Sequence, residues 1–114
     1  MYKDLKVWQM SMDLVLEIYD LAEKFPKSEE YNLKSQIKRA IVSVPLNIAE
    51  GKARASVKDF GHFVNIAIGS LTEVEVVIEL AKRLGYIKQV DQIDERITYL
   101  KKMLNSLRSK LIKG

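Results

Sequence analysis

The residues best equipped for acid–base or metal chemistry are few, and their spacing does not suit it. His62 is the single histidine, and it follows Asp59 by three positions. Di-iron bundles use Glu-x-x-His pairs, so Asp59-x-x-His62 reads better as a helix cap followed by an exposed histidine. Glu73 and Glu75 are two apart, and such positions on a helix point in different directions. They make a poor carboxylate pair. The chain has no cysteine, which excludes disulfides, thiolate metal sites and cysteine nucleophiles. The phosphate loops G-x-x-x-x-G-K-S/T and G-x-G-x-x-G are absent, as are H-E-x-x-H, the G-x-S-x-G elbow and the N-x-S/T sequon. No catalytic residue, metal ligand or cofactor is expected, and the chain reads as a non-enzyme.

The chemistry that remains is charge. Nineteen Lys and Arg face fifteen Asp and Glu, for a net +4. The excess is uneven. From Arg96 onward there are six bases and no acid: Arg96, Lys101, Lys102, Arg108, Lys110 and Lys113. Such an element can attract polyanions. Equally, bases near a helix C-terminus complement its dipole. Lys34, Lys38 and Lys52 form a second candidate patch. Tyr99 is the one aromatic among the C-terminal bases, so stacking on single strands has little support. Any RNA or DNA binding is expected to be to phosphate, with little sequence preference.

These side chains must be positioned by helices. Apolar residues recur at three-and-four spacing throughout, and no stretch alternates with period two. One domain over residues 1–114 fits the length. The first helix is expected from about Leu5 to Lys24, with one apolar row of Leu5, Trp8, Met12, Val15, Tyr19 and Ala22 and a second of Leu14, Ile18, Leu21 and Phe25. Phe25-Pro26 stops it. Ser28 is placed to cap a second helix running to about Ala53, with Glu29 and Glu30 in its first turn. Ser56 and Asp59 open a third, which Gly85 ends. A fourth is expected from about Lys88 to Leu111, on the seam Val90, Ile93, Ile97, Leu100, Leu104, Leu107 and Leu111. Short connections make this an all-α, antiparallel up-down-up-down four-helix bundle. No apolar run approaches the ~20 residues that span a bilayer, and the start lacks a secretory segment. A soluble, cytoplasmic protein without membrane contact is the expectation.

The second helix carries an unusual polar stripe. At 100° per residue, Gln36, Arg39, Asn47 and Glu50 fall within about 40° of Ser43. Apolar residues flank them on both sides. Lys34, Lys38, Lys52 and Pro45 lie roughly opposite, so Pro45 is expected to bend the helix where water can reach the carbonyl of Ile41. A polar stripe with apolar margins reads as an internal hydrogen-bonded network or as part of a subunit contact. Glu73 on the third helix sits among apolar neighbours and wants a cation, for which Arg39 is the candidate. Gly69 would permit close helix approach. Apolar rows in excess of one bundle's interior point to a homo-oligomer.

The stripe is also where the chain becomes recognisable. Leu5-Lys6-Val7-Trp8, then Phe25-Pro26 with Glu29 and Leu33, lead to the block from Gln36 to Gly51, QIKRAIVSVPLNIAEG. Phe60, Phe63, Ile66-Ala67, Gly69-Ser70-Leu71, Glu73, Glu75 and Leu84-Gly85-Tyr86 follow. This pattern, over about residues 5–87, resembles the four-helix-bundle proteins encoded in 23S rRNA intervening sequences. It also resembles their relatives, the accessory variability determinants of diversity-generating retroelements. Lys38 stands where that family often has Arg. The resemblance implies a homopentamer and no established enzyme activity. For retroelement-type members it implies binding to nucleic acid and to a reverse transcriptase. Two functions are therefore expected as alternatives: a nucleic-acid-binding scaffold, or a protein–protein adaptor without nucleic-acid contact.

Overall fold

Punctuation residues set the helix limits. The computed structural model describes residues 1–113; Gly114, part of the expected domain, lies outside the described residues. After a 3-10 turn at Tyr2–Asp4 come α1 (Lys6–Ala22), a second 3-10 turn (Lys27–Glu29), α2 (Leu33–Lys52), α3 (Val57–Arg83) and α4 (Asp91–Lys113). No strand occurs among the described residues. Ser56 caps α3 by accepting the Asp59 N–H at 3.0 Å. Gly85, at φ +80°, closes the other end. There Tyr86 N–H donates to the Ala81 carbonyl at 2.9 Å and Gly85 N–H to that of Lys82 at 3.0 Å. That pair of bonds is a Schellman closure, which needs the left-handed residue that glycine supplies.

The start of α2 differs from the expectation. Ser28 does not cap it; Ser28 sits inside the 3-10 turn, and the helix begins at Leu33. Glu29 takes over the capping task. Its Oε1 accepts the Leu33 N–H at 3.4 Å and the Asn32 amide at 3.0 Å. Likewise α4 begins at Asp91 and not at Lys88.

Each helix touches its two neighbours around the bundle, α1 with α2 and α4, α3 with α2 and α4. The diagonal pairs, α1 with α3 and α2 with α4, keep their Cα atoms more than 8 Å apart among the described residues. Partners along α3 and α4 run in opposite order: Lys82 with Asp94, Glu75 with Lys101, Asn65 with Arg108. The core is one cluster, with Ile18, Ile37, Ile41, Leu71, Ile78, Leu100 and Leu104 among its largest fully buried members. Each such side chain contributes about 1.5–3 kcal/mol of burial free energy. Ser11 is buried with them, and its hydroxyl is satisfied by the Trp8 carbonyl at 2.7 Å.

Two expected faces are corrected. On α1 the buried residues are Val7, Ser11, Leu14, Ile18, Leu21 and Ala22, which leaves Met12, Leu16 and Tyr19 exposed. On α2 the side bearing Pro45 turns inward. Pro45 is buried beside Ile37, Ile41, Val44 and Ile48. Ile41 is 0 % exposed, so water does not reach the carbonyl that Pro45 leaves without an amide partner. Lys34 and Lys38 share this side because their long stems lie along the apolar rim while their ammonium groups reach out.

Candidate nucleic-acid interface

The lysines at the start of α2 are occupied. Lys34 Nζ lies 3.1 Å from Glu30 and 3.2 Å from Glu23, and Lys38 Nζ lies 3.2 Å from Glu23. The hydrogen bond from Lys34, then that from Lys38, holds the Glu23 carboxyl below its usual range. The bond to Glu30, then that to Glu23, pushes Lys34 up. Lys38 also lies 4.9 Å from the centre of the Tyr19 ring. On α4, Lys101 Nζ pairs with Glu75 at 2.6 Å. Lys34, Lys38 and Lys101 thus meet carboxylates of their own chain. Lys52, Lys102, Lys110 and Lys113 have no ion-pair partner among the described residues. Arg108 is hydrogen-bonded, but to amides, Asn65 at 2.6 Å and Asn105 at 2.9 Å.

The fold gathers Lys52, Lys102, Arg108, Lys110 and Lys113 at one end. There α1 and α3 begin and α2 and α4 finish. Gly51 of α2 lies so close to Phe60 and Phe63 that a Cβ would meet them at 2.8 Å, and Gly61 faces Leu111. Leu5, Lys6 and Val7 line a depression with Leu107 and Lys110. Residues 1–13, 44–68 and 102–113, which make up this half, hold nine Lys and Arg against four Asp and Glu, net +5. The other half holds ten against eleven, net −1. Lys52 and Arg54 lie over the rings of Phe60 and Phe63, at 5.9 and 4.7 Å. Lys6, Arg54, Lys58 and Asn65 also belong to this half, although no motif in the sequence singles them out. Lys58, His62 and Asn65 lie on one face of α3 by their four-then-three spacing, and that was the available signal. His62 is exposed and meets Phe63 edge-on, with ring centroids 6.0 Å apart.

The polar stripe of α2 lies on the outside of the bundle. Gln36, Arg39 and Glu50 are exposed, and Ser43 and Asn47 are half-buried. Asn47 Nδ2 donates to Ser43 Oγ at 2.8 Å, and Ser43 Oγ meets Ser70 Oγ of α3 at 2.9 Å. Gln36 bonds Asn32 at 2.9 Å, and Glu50 pairs with Arg54 at 3.2 Å. Arg39 and Glu73 do not form the expected desolvated pair within the chain. Both are exposed, so water already solvates each charge. Leu46, 63 % exposed, stands beside the stripe, with Ile66 and Leu80 exposed on α3. A Cβ at Gly69 would meet nothing within 4 Å.

Among the described residues four helices surround one core and none is long and apolar enough to cross a membrane, which defines a four-helix bundle protein. The chain belongs to the family of 23S rRNA-intervening sequence proteins, whose pattern it matches over residues 3–106. Among solved structures it is similar to a protein of unknown function from the S23 ribosomal protein family of Bacteroides thetaiotaomicron. The two are 28% identical with a TM-score of 0.82, over 90% of this chain and 97% of that one. No curated protein matches the chain. Neither the family's description nor that of the solved relative names an enzymatic activity.

Proposed function

We propose that the protein is a self-associating, non-catalytic scaffold that binds RNA or DNA by its phosphates. Binding uses the end of the bundle where α1 and α3 begin. The observation that carries this reading is the division of charge, net +5 in that half against −1 in the other. Each phosphate neutralised releases counterions, so affinity falls steeply with salt. One chain offers few phosphate contacts; repetition around an oligomer multiplies them. Self-association rests on the outer face of α2 and α3. There Leu46 stays wet, and among the described residues Gly69 gives up helix propensity without a partner and Arg39 and Glu73 have no ion pair. In an assembly these two charges would pair between copies. The pentamer implied by the resemblance is the stoichiometry proposed. A reverse transcriptase becomes a partner where the gene lies beside one.

The test is titration of a labelled RNA with the purified protein across salt concentrations, with light scattering to follow assembly. Binding that weakens steeply with salt and varies little with sequence is expected. An intact oligomer that binds no RNA at low salt would leave the adaptor reading.

A further inference from the structure

We infer that the depression between the first turns of α3 and the last turns of α4 is a site for a single phosphate group, with Arg108 as its oriented cation. This deepens the nucleic-acid reading by naming where one phosphate sits. Lys58, His62 and Asn65 of α3 and Arg108, Ser109 and Lys113 of α4 line it. No carboxylate is among the described residues that line it. Gly61 keeps the wall between them at backbone level; its nearest side-chain neighbours, Leu111 and Ile112, would be 3.5 and 3.8 Å from an added Cβ.

Arg108 is the decisive residue. Other cations with side-chain partners, such as Lys34, Lys82, Arg83, Arg96 and Lys101, meet carboxylates that compensate their charge. Arg108 instead donates from its two terminal nitrogens to Asn65 Oδ1 and Asn105 Oδ1. Neutral amides fix the guanidinium plane and leave its full positive charge in place. Its Nε–H and one hydrogen on each terminal nitrogen remain for an acceptor. A planar fork held in this way matches phosphate geometry. Capping of the α4 C-terminus does not explain it, because the side chain reaches sideways to α3. Lys58 and Lys113 add two further positive charges, and Ser109 adds a hydroxyl donor.

The experiment uses Asn65→Asp, which keeps the hydrogen bond to Arg108 but supplies the missing negative charge. Inorganic phosphate is titrated into the native protein at low ionic strength, with amide shifts around Asn65 and Arg108 as readout. The native protein should show saturable shifts confined to these turns. Asn65→Asp and Arg108→Gln should each weaken them by about tenfold or more, with unchanged thermal unfolding. Asn65→Gln, which keeps a neutral amide, should retain more affinity than Asn65→Asp. An RNA oligomer with a terminal phosphate is compared with its hydroxyl-ended twin. Preference for the first assigns the site to a terminal monoester, and equal binding that still depends on Arg108 assigns it to the backbone. Saturable phosphate binding without RNA binding would keep the site and remove the scaffold reading. RNA binding with no phosphate shifts, or an Asn65→Asp protein that binds phosphate as the native one does, overturns the site.

Discussion

Tyr86 donates its hydroxyl to Glu29 Oε2 at 2.8 Å, while the other oxygen of the same carboxylate receives the Leu33 N–H that opens α2. One side chain thereby ties the residue after the α3 closure to the entry of α2. The two partners shift in the directions such a bond requires. The Tyr86 hydroxyl is the main reason that the Glu29 carboxyl lies below its usual range, and the carboxylate is the main reason that Tyr86 is raised.

A pH dependence follows from these signs. Glu29 is depressed on folding, so its contribution is present above the ordinary glutamate value of 4.5 and is lost as pH falls through the depressed one. Tyr86 is raised, so its contribution is present below the ordinary tyrosine value of 10.0 and is lost as pH rises through the raised one. Tyr86→Phe is expected to lower stability at neutral pH and to flatten both declines. Urea midpoints across pH check it; an unchanged acid-side decline in Tyr86→Phe would show that the bond does not stabilise the fold.

Two glycines that look alike in sequence should respond oppositely to alanine. A Cβ at Gly51 would lie 2.8 Å from Phe63 Cβ and 3.3 Å from the Phe60 carbonyl, atoms that cannot swing away. Gly51→Ala is expected to cost about 1–3 kcal/mol through overpacking. At Gly61 the added methyl finds ordinary contact distances, and the substitution should gain up to about 1 kcal/mol of helix propensity. Denaturant unfolding of both variants measures this, and equal effects would contradict the close approach of α2 to α3.

These cases show what could be read from the sequence. Local signals suffice where the chemistry is local: Ser56 accepts the Asp59 N–H, and Gly85 closes α3. Ser28 misled because its capping pattern is just as local, while the cap used, Glu29, is oriented by Tyr86 across a separation of 57 residues. The helical wheel of α2 has two plausible inner faces. Pro45 looked outward because lysines share its side, and only packing against the rest of the bundle shows that lysine stems can lie along a core rim. The Asn65–Arg108 contact needs the register of α3 against α4, which no single helix encodes.

Self-association has its own signature at Gly69. With nothing within 4 Å of an added Cβ, Gly69→Ala should stabilise an isolated chain by about 1 kcal/mol. If this face packs against another copy, the same methyl should weaken assembly. Sedimentation and unfolding on one variant separate the two effects. Arg39→Ala and Glu73→Ala should each weaken assembly, and the double variant should lose less than the two losses added. An unimpaired oligomer in Gly69→Ala, or strict additivity in the cycle, would remove this face from the interface.

A matched pair of triple variants decides which end of the bundle meets nucleic acid. One replaces Lys58, Lys110 and Lys113 by Gln; the other replaces Lys24, Lys27 and Lys88. None of the six is ion-paired among the described residues, and both variants lose the same net charge. The slope of log affinity for RNA against log salt is measured for each and for the native protein. The first triple is expected to bind more weakly with a shallower slope, as each lost phosphate contact removes about 0.7–0.9 from it. The second is expected to keep the native slope. Equal losses in both would mean that net charge alone draws the RNA, and would contradict an interface at the end where α1 and α3 begin.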